Sequence, residues 1–308
     1  MSRYVHLAGA ALIGIGLLAS CSPTLQSSDT ETPMVTSPPL VIAHRGARSL
    51  APENTLSAAR KALDVGADMW ELDVAVTRDG GLVVMHDDTL ERTCNAREAF
   101  PHREPWRVQD FTLAEIKTLD CGSWFVREDP FRQIEAGNVS DADRQAFRGE
   151  PAPSLREALE FTRQHGWRVN VELKEQESDA LDRYIVEQAV ALIQELGMDD
   201  GQQVVVSSFN HDYLRAVRTL SPKVPTQAIT SKLIPDLSTY LNDLQASACN
   251  AKETTWTYKS MSRLQSLGVA FNIWTVNDEL TMRALIKTGV QGIITDFPQQ
   301  MVEILSQG

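Results

Sequence analysis

Short apolar stretches of strand-like composition recur from residue 40 onward, and amphipathic helical patterns separate most of them. Few folds accommodate that alternation, because parallel neighbouring strands need a long crossover and a helix is the usual one. Strand patterns fall at 40–43, 69–76, 82–85, 168–173, 203–208, 224–229, 246–251, 269–276 and 292–296. Apolar residues at helical spacing predict helices over 154–165, 182–196, 212–220, 259–267 and 278–288. A further helix comes after the first strand and is expected to open at Pro52, since proline suits the first helical position.

The nine strand patterns are one too many for an eight-stranded barrel. However, 69–76 and 82–85 are separated only by Thr77-Arg78-Asp79-Gly80-Gly81. A turn that short makes an antiparallel hairpin, so the second stretch extends the second barrel strand. The expected fold is therefore α/β, a TIM-type (β/α)8 barrel with a hairpin extension of strand 2. A lobe over about residues 90–153 is inserted after the hairpin, on the face where barrel loops build active sites. The 308 residues, 43% hydrophobic and 23% charged, suit such a protein and exclude a disordered or fibrous chain.

The formal net charge of -12 and the absence of a long basic run argue against a nucleic-acid partner. An acidic protein that takes an anionic substrate needs a metal ion, or a few convergent Arg and Lys side chains, to reverse the local field. In a strand, residues two apart share a face, so Glu71 and Asp73 point the same way, as do Glu172 and Lys174 on the next barrel strand. Carboxylates gathered on an inward face repel one another and are costly to bury, and a hard divalent cation with oxygen ligands resolves both problems. The alternative is three structural carboxylates paired with arginines.

Two histidines flank this cluster. His44 ends the first strand, and folding the hairpin brings His86 back alongside residues 72 and 73. Imidazole titrates near neutrality and is a common proton carrier for breaking a P–O bond. Arg45 offers a forked donor for phosphate, Lys174 a point charge, and the helix expected at Pro52 its N-terminal amides.

The segments Ala43-His44-Arg45-Gly46, Pro52-Glu53-Asn54-Thr55, Gly66-Ala67-Asp68, Glu71-Leu72-Asp73-Val74, Thr77-Arg78-Asp79-Gly80, His86-Asp87, Asn170-Val171-Glu172-Leu173-Lys174, Ser207-Ser208-Phe209, Trp274-Thr275-Val276-Asn277 and Gly292-Ile293-Ile294-Thr295-Asp296-Phe297-Pro298 succeed one another along the chain. Together they resemble the glycerophosphodiester phosphodiesterases, over roughly residues 41–298. The resemblance implies hydrolysis of glycerophosphodiesters, such as glycerophosphocholine or glycerophosphoethanolamine, to sn-glycerol 3-phosphate and an alcohol. It implies one divalent cation, Ca²⁺ or Mg²⁺, on Glu71, Asp73 and Glu172, and His44 and His86 as general acid and base. Arg45 and Lys174 would hold phosphate oxygens and Trp274 would pack against the glycerol carbons. Water or the glycerol 2-hydroxyl would be the nucleophile.

At the N-terminus, Arg3 and His6 precede an apolar run over 7–18. It is too short for a bilayer core of roughly 30 Å and suits a signal peptide. Leu18-Ala19-Ser20-Cys21 resembles a bacterial lipobox, which implies acylation of Cys21 as the first mature residue, while Ser22 implies the outer membrane. The expected organisation is a signal peptide over 1–20, a flexible tether over 21–39 and the barrel over 40–308, in an exported protein held by lipid at the outer membrane or periplasmic face. An ordinary signal cleaved near Ala19 is the competing reading. Export permits a disulfide, expected between Cys94 and Cys121, with two buried thiols as the alternative. Cys249 lies in an apolar strand and is expected to pack there, and no CxxC spacing suggests a cysteine zinc site.

The inserted stretch carries Trp106, Trp124 and Phe125. These either pack within the lobe or present an aromatic surface to the alcohol half of a substrate or to lipid. Three other functions remain open at this level: a barrel relative that cleaves phospholipids or lysophospholipids, a glycosidase using paired carboxylates, and a non-catalytic surface lipoprotein. A glycosidase has no need of His44, Arg45 or Lys174. A pure binder has no need of two histidines beside three carboxylates.

Overall fold

The computed structural model describes residues 37–307; the signal segment, Cys21 and nearly all of the tether lie outside the described residues. Eight parallel strands close into a barrel: β1 (Leu40–Ala43), β2 (Met69–Val76), β4 (Val169–Leu173), β5 (Val204–Ser208), β6 (Thr226–Thr230), β7 (Ala248–Lys252), β8 (Phe271–Trp274) and β9 (Gly292–Thr295). The pairing of β1 with both β9 and β2 completes the circle. The remaining strand, β3 (Leu82–Val84), runs antiparallel to the end of β2, with Val74 opposite Val84. Closure removes every free edge except at this hairpin.

Helices cover the outside. The first, α1 (Leu56–Asp64), comes after β1, and the lobe after β3 carries four short ones: α2 (Ala96–Ala99), α3 (Leu113–Ile116), α4 (Ser123–Glu128) and α5 (Asp141–Ala146). Six more alternate with the later strands: α6 (Leu155–Gln164), α7 (Asp179–Glu195), α8 (His211–Leu220), α9 (Leu237–Leu244), α10 (Tyr258–Gln265) and α11 (Glu279–Thr288), before α12 (Pro298–Ser306) closes the chain. Outward strand residues such as Leu72, Val171, Leu173, Val204 and Val206 are fully buried beneath this layer, which makes strand–helix packing the main core. No helix among the described residues is long and apolar enough to cross a membrane.

The helix after β1 does not open at Pro52. It starts at Leu56, with the Thr55 hydroxyl accepting from the Ala58 amide at 3.2 Å. Threonine is the stronger capping residue, and Asn54 sits in the left-handed region at φ 58°, which breaks helical geometry before it. In the helix that forms, the cap takes the Ala58 amide and Glu150 Oε1 takes the Ser57 amide at 2.9 Å, so neither is free for an anion. The helices α9 and α12 have patterns that periodicity alone passes over: α9 is two turns long behind Pro235, and α12 carries proline at its first position.

The lobe has a small core of its own, with Leu90, Trp106, Phe111, Ile116 and Leu119 buried around Val83 and Met85. Cys94 and Cys121 are joined there by a disulfide. Its second half behaves differently: Trp124, Phe125 and Phe147 belong to the barrel's own core. Trp124 is only 6% exposed and donates its indole N–H to the Cys121 carbonyl at 3.1 Å. The lobe's tryptophans are therefore packing residues and offer no aromatic surface.

Candidate active site

Strand register assembles the carboxylates. On β2, Glu71 and Asp73 face inward, and β4 sets Asn170 opposite Glu71 and Glu172 opposite Asp73. One oxygen from each of Glu71, Asp73 and Glu172 lies within 4.8 Å of the others. Glu71 and Asp73 are buried, and Glu172 nearly so. The turn after β1 wraps this cluster. Arg45 adopts φ 56° and Gly46 φ 79°, so the Arg45 amide turns inward and donates to Glu71 Oε2 at 2.8 Å. A side chain at Gly46 would meet Ala58 at 2.6 Å, which leaves glycine as the residue that lets this turn close on α1.

The three acids are not equivalent. Burial disfavours ionised Asp73, yet Arg45, His86 and Lys174 outweigh it and hold the carboxyl below its usual range. Arg45 Nε stands 3.4 Å from Asp73 Oδ2, and Asn54 Nδ2 donates to the same oxygen at 2.9 Å. Glu71 is pushed well above the usual range by burial and then by Asp73 and Glu172. For the same reasons, burial first and then Asp73, Glu172 is raised to about 7, although Lys174 Nζ lies 3.7 Å away. Glu71 Oε1 is buried with no hydrogen-bond partner. An orphaned carboxylate oxygen among three acids that resist ionising together is what a cation-binding cradle presents before a hard divalent ion enters it. The donor set is all oxygen, which suits Mg²⁺ or Ca²⁺.

Each histidine is oriented by an aspartate. His44 Nδ1 donates to Asp296 Oδ1 at 2.6 Å, and His86 Nδ1 donates to Asp87 Oδ1 at 2.7 Å. Both aspartates are held below the usual carboxylate range, so they accept and Nδ1 must carry the proton. That tautomer leaves both Nε2 atoms for the cavity. Burial, reinforced by Arg45 and Arg48, lowers the His44 pKa despite the Asp296 bond, so this imidazole is neutral at neutral pH. Asn277 Nδ2 secures Asp296 from the far side at 2.7 Å.

A cavity of about 120 Å³ opens over these groups. His44, Arg45, Glu71, Asp73, His86, Glu172 and Lys174 form one wall, while Phe209, Ile229, Asn250, Trp274 and Ile294 form the other. Trp274 donates Nε1 to the Asn250 carbonyl at 2.8 Å and meets Phe209 edge to face at 5.6 Å. The eight residues named from sequence thus share one cavity. Asp296, Asp87, Glu53 and Asn54 have no role in the sequence reading, although all four stand inside the motifs that carry the resemblance.

A sequence model of the glycerophosphoryl diester phosphodiesterase family matches residues 44–300. A glycerophosphodiester phosphodiesterase of Caldanaerobacter subterraneus is 34% identical over 269 residues, covering 87% of this chain and 98% of the relative. One from Bacillus subtilis is 32% identical, covering 84% of each. Among solved structures, an Oleispira antarctica phosphodiesterase in complex with the product sn-glycerol-3-phosphate superposes with a TM-score of 0.72 at 26% identity, covering 87% of this chain and 97% of its own. A Silicibacter pomeroyi protein described as a glycerophosphoryl diester phosphodiesterase superposes with a TM-score of 0.76 at 27% identity, covering 89% and 95%.

Proposed function

The chain belongs to the glycerophosphoryl diester phosphodiesterase family and is a glycerophosphodiester phosphodiesterase, and from that premise we propose how it works and on what. It hydrolyses glycerophosphodiesters such as glycerophosphocholine and glycerophosphoethanolamine to sn-glycerol 3-phosphate and the free alcohol. The observation that carries this reading is the single cavity in which two aspartate-oriented imidazoles face three carboxylates, Arg45 and Lys174.

Glu71, Asp73 and Glu172 would hold one divalent cation, which when bound supplies Lewis-acid neutralisation of the phosphoryl oxygens. Arg45 and Lys174 hold those oxygens from the protein side, Arg45 as a fork and Lys174 as a point charge. The neutral His44 takes the proton of the attacking hydroxyl at Nε2 as the new O–P bond forms. Protonated His86 gives its Nε2 proton to the departing alkoxide as the old P–O bond breaks. A cavity of about 280 Å³ adjoins the site and shares His86 and Lys174 with it, leaving room for the alcohol on the His86 side. Water as the nucleophile gives the product directly; the substrate's own 2-hydroxyl would expel the alcohol to form a cyclic phosphate, which water then opens to sn-glycerol 3-phosphate with the two imidazoles exchanging roles. Trp274, on the opposite wall, packs against the glycerol carbons.

The test is release of sn-glycerol 3-phosphate from glycerophosphocholine with Mg²⁺, with Ca²⁺ and with chelator, beside Glu71→Ala. Cation-dependent release that Glu71→Ala abolishes is expected. Release that survives both chelation and the substitution would refute the carboxylate site, and cleavage of lysophosphatidylcholine alone would move the reading to a lipid-cleaving relative. We further propose export and lipid attachment at Cys21, on the strength of the lipobox-like residues Leu18 to Cys21. Detergent-phase partitioning that persists in Cys21→Ala would overturn the anchor.

A further inference from the structure

A chain of charged side chains joins the two histidines beneath the cavity. His86 is held by Asp87, and Arg92 grips Asp87 with Nε at 2.5 Å and Nη2 at 3.1 Å. The other edge of the same guanidinium grips Glu53, with Nη2 at 2.7 Å and Nη1 at 3.1 Å. Glu53 is buried, and it also receives Arg45 Nη1 and Arg48 Nη2, each at 2.8 Å. Arg48 in turn stands 3.6 Å from Asp296, the partner of His44. The loop after β3 and the loop after β1 are thereby tied together at one guanidinium.

We propose that Arg92 is a positioning residue that sets the His86 imidazole relative to His44 by bridging Asp87 and Glu53. The inference rests on the roles given to the two histidines above. An in-line displacement needs its base and acid on opposite sides of the phosphorus at a fixed separation, and small errors there cost rate. His44 is fixed within the barrel by Asp296 and Asn277. His86 stands where the chain leaves the hairpin for the lobe, and its orienting Asp87 is half-buried with Arg92 as its arginine partner. Arg92 is itself placed by its neighbours in the lobe: its guanidinium lies 5.9 Å from the Trp124 ring, and Cys94, two residues on, is bonded to Cys121. The lobe thus supplies an arm to the reaction centre without entering the cavity.

Geometry separates this role from a structural ion pair. Glu53 keeps two arginines when Arg92 is removed, and Arg92 is 40% exposed, so Arg92→Ala should fold. Lysine would keep the charge but cannot grip two carboxylates with a fork. Arg92→Ala is expected to lower kcat by about 10- to 100-fold with little change in KM, the cost typical of losing an orienting partner. Arg92→Lys should remain impaired, and added guanidinium should restore Arg92→Ala in part. On an Asp87→Asn background the second substitution should cost little more, because both act on the same imidazole.

Full activity in Arg92→Lys, independent losses for Arg92 and Asp87, or a rise in KM alone would each overturn the proposal, the last by making Arg92 a substrate contact. A readout without turnover completes the test: the His86 Nδ1 proton, tracked by nitrogen-resolved NMR, should exchange faster in Arg92→Ala than in the unmodified protein. An unchanged exchange rate would also overturn it. If the unmodified protein released no sn-glycerol 3-phosphate, the assigned reaction would fail, and the NMR comparison would still decide the positioning role.

Discussion

The two walls of the barrel mouth are built from the same kind of position, inward residues at strand ends, and carry opposite chemistry. The wall from β1, β2, the hairpin and β4 holds seven ionisable side chains. The wall from β5 to β9 holds Phe209, Ile229, Asn250, Trp274, Thr275 and Ile294, none of which ionises. On the neutral side, uncharged amides meet one another: Asn272 Nδ2 donates to Asn250 Oδ1 at 2.9 Å and to Gln227 Oε1 at 3.2 Å, while Asn250 Nδ2 and Asn272 Oδ1 stay buried without partners. On the charged side, the unpaired buried atoms include a carboxylate oxygen, Glu71 Oε1, beside two further acids. Proteins leave buried charge unresolved where a ligand resolves it. This difference supports the proposed placement of the phosphodiester on the charged wall and of the carbon skeleton on the neutral one.

The division between the walls is tested hardest at the histidines. Replacing His44 or His86 by Gln is expected to lower kcat by about 10²- to 10⁴-fold, the range of a lost general acid or base. Calorimetric titration with Mg²⁺ or Ca²⁺ should show cation affinity nearly unchanged in both variants. If cation affinity collapsed with the histidine, the charged wall would be one indivisible metal site and not two functions side by side.

Proton uptake probes the charged wall more finely. Without a cation, folded Glu172 keeps its proton to about pH 7 against an ordinary 4.5, and Glu71 is shifted the same way. In the window between those values the unfolded chain has released protons that the folded chain retains, so stability falls as pH rises through it. Asp73, Asp87, Glu53 and Asp296 are shifted downward, and the stability they add is lost only in more acidic solution, below the ordinary carboxylate range. A cation requires the ionised acids, so its stabilising effect should grow with pH. Melting curves with chelator and with cation, from pH ~5 to pH ~8, should diverge as pH increases. A constant gap would mean that Glu71 and Glu172 are not ligands.

How legible each wall was in the sequence depends on the range of its interactions. Alternation along β2 and β4 fixes which carboxylates share a face, and a five-residue turn fixes where His86 returns; both are local rules. Asp87 is local too, next to the His86 it orients, but the rest of the network behind the histidines is another matter. Asp296 reaches His44 across 252 positions, and Glu53 acts through three arginines from two loops, so no spacing rule exposes them. Pro52 misdirects the helix start, because the left-handed Asn54 and the Thr55 cap override a favourable proline. Trp124 is a different case: the sequence leaves packing within the lobe or an aromatic surface open, and the residue does pack, but in the barrel's core and not the lobe's own.

The smallest expected effect belongs to the neutral wall. Trp274 is half-buried, its indole N–H is already engaged by the Asn250 carbonyl, and it lines the cavity. In the proposed binding mode it gives apolar contact to the glycerol carbons, and partial burial of such a ring against a small ligand is worth about 1 to 2 kcal/mol. Trp274→Ala should therefore lower kcat/KM by roughly tenfold, mostly through KM, since ground state and transition state share that contact. Phe209→Ala should do less, because Phe209, although it also lines the cavity, is 47% exposed and loses less buried contact. Steady-state kinetics on one substrate, with cation affinity measured alongside, separates the cases. A large fall in kcat with unchanged KM would place Trp274 among the groups that act on the reacting atoms, and the division between the walls would no longer hold.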